Sequence, residues 1–183
     1  SAIEDFAFDS TTSLMSFEVS PFNTHYVALD GMLYTYDKTV FVACPAGKAG
    51  SASIAQGTKG IAANAFNHSQ LASISIPESV TEIGSDAFSG CVLEGIKVDE
   101  ANERYEGASG ALIDKSEGAL IIGANRIDTE IKEGVIKIND SAFYGCDKIQ
   151  KLTIPASLTE IGKNAFYGTC AEILWENTAL TEI

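Results

Sequence analysis

The sequence is poor in the residues that usually announce chemistry. Among 183 residues there are two histidines, one tryptophan, two methionines, four cysteines and four prolines. His25 and His68 lie far apart, each in a polar turn, and no G-x-S-x-G or comparable nucleophile motif accompanies them. The cysteines form no C-x-x-C pair and meet no clustered histidine, so the common zinc patterns are missing. Basic residues are scarce as well. Twelve Lys and Arg stand against 25 Asp and Glu, a formal charge of −13, and such a surface repels phosphate backbones and anionic headgroups. Nucleic acid and direct membrane insertion are therefore not expected. No run approaches the roughly 18 apolar residues of a spanning helix, and the opening SAIEDFAFDS carries neither the basic nor the apolar stretch of a signal peptide.

Two near-motifs fail on single positions. CPAGKAGS has the Gly-Lys of a phosphate loop, but Ala49 stands where Ser or Thr would hold magnesium and Val42 where the first Gly belongs. DEANERYEG is acidic, yet Arg104 occupies the place where a calcium loop needs Gly. No catalytic residue, cofactor site or metal site is assigned, and no enzyme activity is expected.

What is abundant is repetition. IPESVTEIGSDAFSGC, residues 76–91, returns as IPASLTEIGKNAFYGTC, residues 154–170. The dipeptide Ala-Phe occurs five times, with Phe8, Phe66, Phe88, Phe143 and Phe166 separated by 58, 22, 55 and 23 residues. The short steps define a unit of 22 to 23 residues; each long step is that unit plus an insertion. Within the unit, Ile74 and Ile76, like Leu152 and Ile154, alternate with polar residues, the period-2 pattern of a short strand with one buried face. Pro77 and Pro155 end the strand because proline cannot donate to the next ladder. Gly84 and Gly162 are read as turn positions closed to other residues. So short a unit cannot bury its apolar side alone, which requires copies to stack with their strands parallel. The expected fold is a repeat solenoid with the five Phe rings in register, one per coil.

The long steps also match each other at an offset of 79: Val19 with Val98, Asn23 with Asn102, Tyr26 with Tyr105, Gly31 with Gly110 and Leu33 with Leu112. Each reads as a β-hairpin inserted between ordinary coils. The chain is thus expected to be one solenoid over 1–183, with supermodules at about 14–91 and 93–170 and a partial repeat at 171–183. The closing ENTALTEI starts another unit and stops, which reads as an excerpt of a longer protein or a truncated cap.

These residues resemble the BspA-like, or Treponema-type, leucine-rich repeat, whose 23-residue unit carries IP…(V/L)TxIGxxAFxGC. The resemblance implies a right-handed leucine-rich-repeat coil with a parallel sheet of short strands, inserted hairpins and little helix. It also implies an extracellular or cell-surface location and an adhesin-like role toward an extracellular protein or glycan, host-derived ones included. The alternative is a structural spacer within a larger bacterial surface protein. The departures are an extra residue in YGTC, a missing Cys in AFNHSQ and AFDSTT, and Trp175 where Ile is usual.

Cys91, Cys146 and Cys170 fall three or four residues after Phe, which makes them a column of small buried side chains. For ligand contact, alternation turns Ser73, Ser75, Lys97, Lys151 and Thr153 outward on the strands. The first hairpin adds Tyr26, Tyr34 and Tyr36, where the second offers Ile113 and Asp114 at the positions of Tyr34 and Thr35. Those eight residues are the candidate ligand-binding set, and tyrosine at the hairpin is the type found at binding hot spots.

Overall fold

In the computed structural model, residues 3, 7–8, 11–169 and 171–176 are described. They contain β1 (Tyr26–Leu29), β2 (Met32–Thr35), β3 (Val40–Ala43), β4 (Gly50–Ser53), β5 (Gly60–Ile61), β6 (Leu71–Ile76), β7 (Glu82–Ile83), β8 (Gly95–Val98), β9 (Tyr105–Ala108), β10 (Ala111–Asp114), β11 (Ala119–Ile122), β12 (Asp128–Glu130), β13 (Lys137–Ile138), β14 (Lys151–Ile154), β15 (Glu160–Ile161) and β16 (Glu172–Trp175), and no helix. The strands form a β-solenoid. Long strands stack in parallel as β4-β6-β8 and again as β12-β14-β16; short strands stack as β3-β5-β7 and β11-β13-β15. The first strand of each short stack ends an antiparallel meander, β1-β2-β3 or β9-β10-β11.

The repeated sentence becomes repeated bonding. Ser79 Oγ donates to Thr58 O at 2.8 Å and accepts from Gly57 N–H at 3.1 Å; Ser157 does the same with Val135 O and Gly134 N–H, at 2.8 and 3.0 Å. Each Ser thereby satisfies two backbone groups of the preceding coil that no strand ladder reaches. Gly84 and Gly162 have a different reason from the expected one. Neither has a positive φ; a Cβ would instead lie 2.4 Å from Ala63 N or Asp140 N, so the coils approach too closely there for any side chain. The left-handed conformation falls two residues before Phe66, Phe88, Phe143 and Phe166, at Asn64, Asp86, Ser141 and Asn164, where short polar side chains tolerate it.

The Phe column is broken into stacks. Phe41, Phe66 and Phe88 stack nearly parallel, with centroids 4.5 and 5.1 Å apart, and Phe143 stacks on Phe166 at 5.5 Å. Phe8 packs edge-on against Phe17 at 4.7 Å. Register explains the breaks: Leu120 on β11 holds the place that Phe41 holds on β3, since both strands pair identically with the coil that follows. Phe8 nevertheless sits where Phe88 does in the next module. Ile3 N–H donates to Tyr26 Oη at 3.1 Å, and Tyr105 Oη bonds the backbone at Ile83.

The cysteine column is also corrected in part. Cys91 Sγ donates to Phe66 O at 2.8 Å, and in the later copy Thr169 Oγ1 donates to Phe143 O at the same distance. Thr169, three residues after Phe166, therefore takes the Cys place; Cys170 and the closing ALTEI lie outside the described residues. Trp175 pairs in register with Ile154 and continues the Ile column.

The hairpins are walls inside the solenoid. On β10, Leu112 packs into the apolar cluster that contains Phe88, while Ala111 and Ile113 pack into the one that contains Phe143. All four β10 residues are buried as a result, because both faces of the strand meet core.

Candidate functional site

Tyr34 is not a surface residue. It is 1% exposed, stacks edge-on against Phe41 with centroids 5.1 Å apart, and its hydroxyl accepts from Ala55 N–H at 3.2 Å. Its counterpart Ile113 is buried too, so the position belongs to the wall of a core in both modules. Burial pushes the Tyr34 hydroxyl pKa up, against the hydrogen bond from Ala55. Tyr26 is half-buried and held through its hydroxyl by Ile3 N–H. Tyr36, by contrast, is 58% exposed, and Phe22, which the repeat pattern did not single out, is 90% exposed. Its signal in the sequence is the Pro21-Phe22 step in a turn whose partner in the second module is Ala101.

The remaining candidates divide between two sheets. Ser73 and Ser75 on β6 and Lys97 on β8 face outward beside Ser51 and Ser53 of β4, with Ser73 Oγ donating to Ser51 Oγ at 2.8 Å. Lys151 and Thr153 belong to β14, in register with Asp128 and Glu130 of β12. The eight candidates thus fall on the first hairpin, where Tyr36 follows β2, and on two strand faces of different character, the first hydroxyl-rich with Lys97 at its edge, the second carrying charges of both signs.

A cleft of about 430 Å³ opens where the modules meet. The coil of β8 carries a hairpin in place of an Ala-Phe turn, so the turn at Ser85–Ser89 and the turn at Asn139–Ser141 face each other across a gap floored by Ile121 and Ile122. Arg104 and Asp114 form its wall, Nε to Oδ2 at 3.1 Å; Arg104 also donates to Thr81 O at 2.9 Å and so ties the hairpin to the preceding coil. Asp114 accepts further bonds from the amide and hydroxyl of Ser116. Burial pushes its pKa up, but the bonds from Ser116 and Arg104 outweigh burial and hold it below the usual range. The hydrogen bond to Asp114 raises Arg104 in turn.

Burial drives the thiols of Cys44 and Cys146 up to about 12 and that of Cys91 to about 11, far from nucleophilic at neutral pH. Among the described residues no three His, Cys, Asp or Glu side chains are grouped to hold a metal.

The description "BspA type Leucine rich repeat region" matches residues 37–108 and 123–183, in six copies. The interval between the two stretches contains β10 and β11, the part of the second hairpin that departs most from a plain coil. Among solved structures, a leucine rich cell surface protein from Faecalibacterium prausnitzii superposes with a TM-score of 0.57 at 25% identity, over 69% of this chain and 41% of that one. A leucine-rich repeat protein from Eubacterium ventriosum gives 0.60 at 26% identity, over 66% and 33%. The pneumococcal vaccine antigen PcpA shares the fold, with a TM-score of 0.55 at 21% identity over 72% of this chain and 40% of that one. This chain thus spans less than half the length of these proteins. No curated protein matches it.

Proposed function

The chain belongs to the BspA-type leucine-rich repeat family, and from that premise we propose that it is a non-enzymatic, surface-displayed module that binds an extracellular protein through the turn and edge of its first hairpin. The observation that carries this reading is the exposure of Phe22 and Tyr36 where the second module has Ala101 and Lys115. Aromatic side chains are enriched at protein–protein interfaces, and Tyr is among the types that dominate binding energy once a partner covers them. Lys115 shows what the same position does when it serves only the fold: its Nζ donates to Asn102 O at 2.7 Å. The likeness to a protein described as a cell surface protein supports the location.

The test is a binding screen against extracellular-matrix proteins with wild type and with the double variant Phe22→Ala, Tyr36→Lys, which writes the second module's residues into the first. The expected result is capture by at least one matrix protein and a loss of about tenfold or more in affinity for the variant, with the melting temperature unchanged. A wild-type screen without a hit would favour the spacer reading instead.

A further inference from the structure

A second concavity, of about 450 Å³, lies on the charged strand face under the turn of the second hairpin. Ser109 of that turn, Arg126 of the strap between β11 and β12, Asp128 and Glu130 of β12, and Lys151 and Thr153 of β14 line it. The first module shows how such a place is closed. There Lys48, in the corresponding strap between β3 and β4, donates to Asp30 O at 2.9 Å and sits 3.7 Å from the Asp30 carboxylate at the hairpin turn. In the second module the turn residue is Ser109, with nearly the same φ, 51° against 49°, and no charge to offer. Arg126 is accordingly left exposed, its guanidinium in no ion pair or hydrogen bond among the described residues, whereas Arg104 is locked to Asp114. Lys151 lies in register between Asp128 and Glu172 and pairs with neither.

The geometry points to a binding site for a carboxylated sugar, of the uronic-acid or sialic-acid class. Arg126 and Lys151 provide donors for a carboxylate, with the planar guanidinium suited to a two-bond contact. Asp128 and Glu130 are acceptors that would repel a bare anion but receive hydrogen bonds from ring hydroxyls. Ser109 and Thr153 serve as either. A ligand complementary to this mixture carries one carboxylate and several hydroxyl donors on a small rigid frame, which distinguishes an acidic pyranose from phosphate or an acidic peptide. The site is separate from the first hairpin, so the two proposals stand or fall independently.

Titration calorimetry with a glucuronate-terminated disaccharide, its glucose-terminated analogue, inorganic phosphate and a short Asp-rich peptide tests it. Binding is expected for the glucuronate compound only. Arg126→Gln and Ser109→Asp should each weaken it by about tenfold or more; the latter rebuilds the first module's closure and leaves an exposed turn that already accepts Asp at Asp30. Phe22→Ala, Tyr36→Lys should leave it unchanged. Equal affinity for the neutral analogue, preference for phosphate or peptide, indifference to Ser109→Asp, or no binding at all would each overturn the inference.

Discussion

The two hairpins follow one backbone plan and diverge only in what their side chains meet. In each, an Asn carbonyl oxygen accepts two amides: Asn23 from His25 and Tyr26, Asn102 from Arg104 and Tyr105. In each, a Tyr hydroxyl bonds the coil before it. Around that shared frame the second hairpin is closed by charge, with Arg104 clamped to Asp114 and to Thr81 O, whereas the first has His25 and Thr35 at the same places and ends in exposed aromatics. A repeat protein can therefore hold its architecture constant and vary its surfaces one column at a time, because each residue of a unit meets the same backbone but a different neighbour.

The sharpest way to break the equivalence is at Gly123 and Cys44, whose amides bond Ala142 O and Ala65 O alike. A Cβ on Gly123 would stand 1.9 Å from the Phe143 ring. Gly123→Cys, which copies the first module, should destabilise by about 3 kcal/mol through overpacking, read from denaturant unfolding. Next in size is Tyr34→Ile, which copies the second module into the first. Loss of ring area and of the partner of Ala55 N–H should lower stability by about 2 kcal/mol; a neutral result would mean that the hairpin walls are interchangeable.

Smaller is the effect of Asp114→Asn. The Arg104 side chain is 39% exposed and screened by water, so about 1 kcal/mol is expected at neutral pH. The pH profile carries the distinguishing sign. Because the Asp114 pKa is depressed in the folded protein, its contribution is full above the unfolded aspartate pKa of about 3.9 and is lost as pH falls through the folded value. Acid melts of wild type should therefore fall more steeply than those of Asp114→Asn. The smallest effects belong to the Phe+3 column: Cys91→Ser should change stability by less than about 0.5 kcal/mol, since Ser69 and Thr169 already fill equivalent places, and Cys91→Ala should cost about 1 kcal/mol for the lost bond to Phe66 O.

Much of this was legible in the chain itself. The spacing of Ala-Phe, the alternation before Pro77 and Pro155 and the offset of 79 gave the solenoid and located both insertions. They could not reveal that β2 and its counterpart β10 are walls of the core, so Tyr34 was expected outside on the strength of its type and ended in the core. Phe22 escaped for the converse reason: a lone aromatic in a turn has no periodicity to mark it. The open Arg126 was equally silent, since its freedom depends on Ser109, a residue 17 positions away with no pattern linking the two.

The order of coils and their strand faces were written in the sequence, because each depends on local spacing repeated at a fixed period. Which side chains remain in water was decided only by the packed structure. Exposure depends on neighbours far apart in the chain, and one substituted partner, Ser109 for Asp30 or Ala101 for Phe22, changes a surface without changing the repeat.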